Sequence, residues 1–289
     1  MKVLITGAGG QVGWELQQTV STDIEITALH RVELDIADQA AAMSVIKELQ
    51  PDLVINAAAY TAVDKAEEEV VRVYKVNVDG AAKIARAVED CSARLFHFSS
   101  DFVFVGTGTK PYMPGDEPKP SGIYGASKLQ GDRAVMAETS GRAVILRTAW
   151  IYSVHGSNFV KTMLRLMVER EELGVVDDQV GTPTWAKELA KTIWLIAGKT
   201  DMQGTYHWTD DGKASWYDFA LAIQEEAYGL GLLQKTIPIK PIKTEEYPTP
   251  ARRPAYSVLD KTSTLEALDC KTPHWRESLI KMLIELKEL

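Results

Sequence analysis

Only two of the 289 residues are cysteine, Cys91 and Cys270, and no Cys-x-x-Cys spacing exists. This excludes a disulfide scaffold or a thiolate metal site, and two free packing thiols in a reducing compartment are expected. The five histidines (His30, His97, His155, His207 and His274) are scattered, and none stands at a metal-ligand spacing. Long apolar runs are missing: the N-terminal one is cut by Gly7, Gly9 and Gly10, too early for a signal segment or a membrane span. An excess of positive charge is missing as well. With 32 basic against 40 acidic residues the net charge is −8, which argues against a nucleic-acid or anionic-membrane partner. Repeats and low-complexity tracts are absent. The expectation is a cytoplasmic, soluble globular protein, long enough for one large or two modest domains.

What is present begins at the N-terminus. Lys2–Thr6 is a short apolar strand without polar alternation, as a parallel strand buried on both faces would be. Directly after it, Gly7, Gly10 and Gly13 form a G-x-x-G-x-x-G turn that carries Gln11 and Val12 and opens a helix. Such a turn lets the backbone approach a pyrophosphate and aims a helix N-terminus at the anion. Strands then alternate with helices. Strands are expected at 24–29, 53–56, 95–99 and 143–146, with helices at 38–49, 70–89 and 124–138. This predicts an α/β fold, a doubly wound parallel sheet of the Rossmann type, with ligands at the C-terminal strand ends. Gly7–Gly13, Arg31, Asp35 and Ile36, Ala57–Tyr60 and Ser99–Phe102 all fall at those ends. Arg31 at the second strand suits a 2′-phosphate and so NADPH, with NADH as the alternative. A solvated surface role for Arg31 stays open, with Asp35 at the adenine edge instead.

Ser100 closes the fourth strand, and Tyr124 and Lys128 lie four residues apart on the helix that follows, hence on one face. This set serves proton transfer to an alcohol oxygen while hydride moves at its carbon. A neighbouring ammonium is expected to bring the phenol closer to working pH. The Ser hydroxyl can hold a carbonyl and share its developing charge.

With these motifs in place the chain resembles the extended short-chain dehydrogenases/reductases, and within them the dTDP-4-dehydrorhamnose reductase family. The resemblance rests on Gly10–Leu16, Asn56–Glu67, Asp101–Phe104, Arg147–Tyr152, Asn158–Met163 and Asp178–Thr184. It implies a catalytic Ser100, Tyr124 and Lys128. It places Ala57, Ala58, Ala59 and Tyr60 along the cofactor, and Thr61, Val63, Asp101, Phe102, Trp150 and Asn158 around a deoxysugar nucleotide. The family usually has Thr where Ser100 stands and Tyr where Phe102 stands. Related dehydratases carry Glu at the position of Phe102, so dehydration is disfavoured and simple carbonyl reduction remains. The resemblance also raises a Mg²⁺-linked dimer through glutamates. Glu15 and Glu285 lie near matching positions, but Lys187 stands where a third Glu belongs, so no required metal is expected, and the protein is read as a monomer or homodimer. Two alternatives remain: a non-catalytic NADP-binding regulatory subunit like that of methionine adenosyltransferase, or another nucleotide-sugar ketoreductase or epimerase.

The second half reads as a smaller substrate lobe, 151–289, with a segment at about 178–208 returning to the dinucleotide-binding domain, 1–150. Helices are expected at 158–172, from Pro183 to Ile196 and at 215–228, and a strand at 204–208. A proline-laced loop bears Arg252 and Arg253, whose guanidinium forks suit a diphosphate. Trp194, Trp208, Trp216 and Trp275 fall within apolar-periodic segments and read as packing residues.

Overall fold

The computed structural model describes all 289 residues. The first half runs β1 (Lys2–Thr6), α1 (Gln11–Thr19), β2 (Glu25–Leu29), α2 (Gln39–Leu49), β3 (Leu53–Asn56), α3 (Val63–Ala66) and α4 (Val70–Tyr74). A π turn at Lys75–Gly80 leads into α5 (Ala81–Asp90), then β4 (Arg94–Ser100), α6 (Ile123–Glu138) and β5 (Val144–Thr148). The second half adds β6 (Ile151–Tyr152), α7 (Phe159–Glu169), β7 (Leu173–Val176), β8 (Val180–Gly181), β9 (Thr184–Trp185), α8 (Ala186–Gly198) and β10 (Gly204–His207). It ends with β11 (Ala214–Ser215), α9 (Trp216–Gly229), β12 (Ile239–Ile242), α10 (Thr262–Leu268) and α11 (Trp275–Glu288).

Six strands form one parallel sheet in the order β10-β5-β4-β3-β1-β2. The strand period decides which face each side chain serves. Val3 and Ile5 of β1, with Leu53 and Ile55 of β3, point to a core completed by Leu16, Leu189 and Ile193 from α1 and α8. Leu4 and Val54 point the other way, to Ile46 of α2, Ile84 of α5 and Val135 of α6. Both faces are therefore covered, which explains why β1 and β3 carry no polar alternation. The chain reverses its winding between β1 and β3, so a crevice opens beyond their C-terminal ends. A separate core of Tyr152, Met163, Phe219, Trp275 and Met282 holds the second-half helices together. No helix is long and apolar enough to cross a membrane.

Several local expectations are modified. The helix expected over 70–89 is broken by the π turn, which buries Asn77. Its side chain accepts from the Tyr60 N–H (2.8 Å) and donates to Ser127 Oγ (3.0 Å), clamping the loop after β3 onto α6. Such π turns insert one residue into the helical register, which a hydrophobic period does not reveal. The helix expected from Pro183 starts only at Ala186, because Thr184 and Trp185 first pair with β6. The segment at 204–207 is a full sixth strand of the main sheet, parallel to β5.

Helix α6 lies against its neighbours at backbone distance. A Cβ on Gly125 would sit 2.1 Å from the Phe102 carbonyl oxygen, and one on Gly131 2.1 Å from that of Asn77. Its N-terminus lacks a cap from Gly122, and the Glu67 carboxylate accepts from the Ile123 N–H instead (2.9 Å). Gly125→Ala is expected to lower unfolding free energy by about 1–3 kcal/mol through overpacking. Urea unfolding monitored by circular dichroism measures this as a lower midpoint at unchanged slope.

Candidate active site

A cleft of about 460 Å³ opens at the C-terminal ends of β1, β3 and β4. Its walls include Gly10, Gln11, Val12, Ala57, Ala59, Thr61, Val63, Ser100, Asp101, Phe102, Tyr124, Trp150 and Arg253. A second cavity next to it gathers Gly7, Gly10, Arg31, Asp35, Ile36 and Ala57–Tyr60. Residues from five separate stretches of sequence thus converge on one crevice.

At the glycine turn, Gly7 adopts φ +71° and a Cβ there would meet the Ala58 backbone N at 2.7 Å. Gly13 packs as tightly, its missing Cβ falling 2.3 Å from the Gly7 carbonyl oxygen. These contacts seat α1 directly on the turn, where only glycine fits. Gly10 offers no side-chain cap to α1, so the first N–H groups of that helix face the crevice. Two contacts tie the second-half lobe to this turn: Asn158 Nδ2 donates to Gln11 Oε1 (3.0 Å), and His155 Nε2 lies 3.0 Å from the Gly9 carbonyl oxygen. Asn158 also caps α7 by accepting from the Lys161 N–H, and it lines neither cavity, so its observed contacts are structural where a substrate contact was expected. Arg31 is exposed and only loosely paired with Asp35 (3.7 Å), which leaves its guanidinium available.

On the floor of the cleft, Ser100 ends β4. Its hydroxyl donates to Asp101 Oδ1 (2.9 Å) and accepts from the Phe102 N–H (3.2 Å), fixing the turn that follows. Tyr124 sits above, half-buried, with Phe102 edge-on to its ring at 5.5 Å between centroids. Lys128 lies one helical turn deeper and only 2% exposed. The electrostatics differ from the expectation drawn from spacing. Burial pushes the Tyr124 phenol up to about 12, against a lowering by the Ser100 hydroxyl and with further raising by the Asp101 and Asp132 carboxylates. Burial pulls the Lys128 amine down to about 8, while Asp132 supports its charge. Asp101 is pushed up to about 6 by burial, opposed by hydrogen bonds from Ser257 and Ser100. Desolvation outweighs the neighbouring charge in each case.

The far wall is built by two tryptophans. Trp150 adopts φ +48°, rare for a bulky side chain, and its indole stacks on Trp216 with ring centroids 3.5 Å apart. Gly181 makes the space, since a Cβ there would lie 2.5 Å from Trp150 Cε2. Trp216 is therefore a wall of the cleft and not only the packing residue expected; its place in an amphipathic helix concealed this. Of the two loop arginines, Arg253 lines the cleft, and its Nη2 donates to Asp64 Oδ2 (2.7 Å). Arg252 is exposed and lines neither cavity. Gln179, which sequence reasoning passed over, also lines the cleft. Beyond Trp216, Gln179 and Arg253 a further cavity of about 400 Å³ continues, walled by Phe159, Met163, Leu166, Val175 and Tyr247.

The glutamates considered for a metal are engaged elsewhere. Glu15 is fully buried and accepts from Ser153 Oγ (2.6 Å), while Lys187 Nζ donates to Glu285 Oε2 (2.5 Å). No cluster of three or more His, Cys, Asp or Glu side chains is arranged to hold a cation. Lys187 thus pairs with Glu285 at the place where the metal set considered would carry its third glutamate.

Comparison with known proteins agrees with this geometry over its whole extent. The family model described as the RmlD substrate binding domain matches residues 1–288. A dTDP-4-dehydrorhamnose reductase of Aggregatibacter actinomycetemcomitans is 41% identical over 285 residues, spanning 96% of this chain and 97% of the relative. A spore coat polysaccharide biosynthesis protein of Bacillus subtilis is 42% identical over 285 residues, spanning 98% and 97%. Among solved structures, a dTDP-4-dehydrorhamnose reductase from Bacillus anthracis in complex with NADP superposes with a TM-score of 0.92 at 37% identity, covering 98% of this chain and 99% of that one. With the glycine turn, the Ser-Tyr-Lys set and the second-half lobe all falling within these matches, the chain belongs to the dTDP-4-dehydrorhamnose reductase family.

Proposed function

We propose that this protein reduces the C4 ketone of dTDP-4-dehydro-L-rhamnose to dTDP-L-rhamnose with NADPH, a step of nucleotide-sugar and cell-surface polysaccharide biosynthesis in the cytoplasm. The observation that carries this reading is the meeting of Ser100 and Tyr124 on the floor of a cleft that runs from the glycine turn to Trp216 and Arg253, with Lys128 enclosed one helical turn beneath Tyr124.

The residues present fit the dinucleotide. The uncapped N–H groups of α1 suit its pyrophosphate, and the cavity between Arg31, Ile36 and Ala57–Tyr60 suits its adenosine, with Arg31 at the 2′-phosphate. When bound, NADPH supplies a hydride from its nicotinamide. The protein's own groups do the rest. Ser100 orients the ketone oxygen, and Tyr124 delivers a proton to it as the alkoxide develops. A phenol held at about 12 keeps its proton through the neutral range, as a donor must, and gives it up only to a stronger base such as an alkoxide. Lys128 then stabilises the phenolate that remains. Phe102 has no carboxylate to assist loss of water, which supports reduction over dehydration.

The cleft also suits a nucleotide-linked sugar by its length. Val63, Phe102 and Trp150 offer apolar contact to a deoxysugar methyl, and Arg253 stands where a diphosphate would lie. The continuing apolar cavity beyond Trp216 fits a thymine base.

The direct test follows loss of absorbance at 340 nm with NADPH and a panel of keto-sugar nucleotides. Turnover confined to the dTDP-4-dehydro-6-deoxy sugars supports the reading, and turnover of none contradicts it. Tyr124→Phe is expected to lower kcat by about 10²–10⁴-fold while NADPH fluorescence titration shows retained binding. The rate is expected to fall as pH rises through about 8, because Lys128 becomes neutral there while Tyr124 still holds its proton. Replacing Arg253 with Ala should raise KM for the sugar nucleotide by about tenfold or more, the loss of a charge-assisted contact. Arg252→Ala, outside the cleft, should leave KM within about twofold on the same ground.

A further inference from the structure

Behind Lys128 lies a buried polar cluster that the proposed reaction does not use directly. Asp132 follows Lys128 by one helical turn, so Tyr124, Lys128 and Asp132 share one face of α6. The Asp132 side chain is buried against the sheet. The Ser99 hydroxyl donates to its Oδ2 at 2.6 Å, Arg147 Nε stands 3.9 Å from the same oxygen, and His97 Nε2 stands 3.8 Å from Oδ1. His97 is held in one arrangement: the Thr6 hydroxyl donates to Asn56 Oδ1 (2.7 Å), leaving the Asn56 amide to donate to His97 Nδ1 (3.1 Å). The ring proton therefore sits on Nε2, directed at Asp132. A polar chain thus crosses from the end of β1 through β3 and β4 to α6.

We propose that Asp132 is a positioning residue of the active site, the single buried counter-charge that keeps the enclosed Lys128 amine cationic beneath Tyr124, with Ser99, Arg147 and His97 holding it in place. This inference rests on the function proposed above only for its consequence on the rate. The charge balance carries it. Two cations, Lys128 and Arg147, are enclosed here at 2% and 5% exposure, and the Asp132 carboxylate lies 3.9 Å from Arg147 Nε and one helical turn along α6 from Lys128. His97 contributes no third positive charge, because burial and the charge of Lys128 hold its pKa well below the usual imidazole range. His207, on the far side of Arg147, is likewise pushed down, to about 3, and stays neutral. Tyr124 is neutral as well, and Asp101 lies at the cleft side of that ring, in the turn after β4. Asp132 acts on Lys128 through space: burial pushes its carboxyl up to about 6, opposed by the Lys128 charge, the Ser99 hydrogen bond and Arg147, so that it is ionised in the neutral and alkaline range where the amine titrates. Without that negative charge both enclosed cations would lose the carboxylate that supports them, and the lysine is the one that can shed its proton.

The test reads the lysine itself. In cofactor-free protein carrying ¹³C and ¹⁵N lysine, the Lys128 side-chain resonance is identified by its loss in Lys128→Met and titrated with pH. Asp132→Asn is expected to lower the titration midpoint by about one pH unit or more, a tenfold or greater weakening of proton affinity. Asp132→Glu, which keeps the charge, is expected to restore most of it. In turnover, the alkaline limb of the kcat profile should move down in Asp132→Asn by the same amount as the resonance. An unmoved midpoint in a folded Asp132→Asn protein overturns the proposal, whatever its activity. If Asp132→Asn does not fold, Ser99→Ala replaces it: loss of the donated hydrogen bond should lower the Lys128 midpoint by a smaller, measurable step, and no change overturns the proposal equally. Absence of keto-sugar turnover in the wild-type protein would instead count against the proposed reaction and leave the lysine titration to be judged separately.

Discussion

The site depends on how closely α6 lies on its neighbours. Gly125 and Gly131 remove the two Cβ atoms that would hold the helix off the Phe102 and Asn77 carbonyls. That contact sets the distance between Ser100, which belongs to the sheet, and Tyr124 and Lys128, which belong to the helix. The surrounding loops brace the same arrangement. Glu67 terminates the N-terminus of α6, Asp64 holds Arg253 over the cleft, and Asn77 clamps Tyr60. The stretch from Asn56 to Glu67 therefore serves as a splint between the sheet, the helix and the arginine loop.

Enclosure is the second constraint, and it suits the direction of the proposed reaction. A site open to water would leave the phenol and the amine near their ordinary values. Burial makes the phenol more reluctant to lose its proton and the amine readier to lose one. Reduction asks the tyrosine to arrive protonated, so the first shift is an advantage. The second is a liability, since a neutral lysine could not steady a phenolate, and a carboxylate enclosed with it answers that need.

The fold was largely legible because its signals are local. An apolar strand, a glycine turn and a helix start are adjacent in sequence, and so are Tyr124 and Lys128. Asp38 at the start of α2 and Ser215 at the start of α9 cap the helices expected after them. What escaped depends on contacts between distant residues. The π turn answers to Tyr60 and Ser127, which no periodicity in residues 70–89 announces. Trp216 has the spacing of a core residue, and only the positive φ of Trp150 brings it to the cleft wall. Arg252 and Arg253 are indistinguishable until Asp64 selects one of them. The rise of the Tyr124 phenol could not be inferred from a Tyr-Lys spacing, since burial is a property of the packed molecule. Asp132 went unremarked for the same reason: its partners come from β4 and β5.

In the proposed reaction hydride reaches a sugar carbonyl carbon above Ser100 and Tyr124. The most direct measurement uses NADPH carrying deuterium at the transferable nicotinamide position, with dTDP-4-dehydro-L-rhamnose as acceptor and proton NMR of the isolated product. The expected product is dTDP-L-rhamnose labelled with one deuterium at C4 and none elsewhere on the ring. A product without that label, or an acceptor recovered unchanged while NADPH persists, would contradict it.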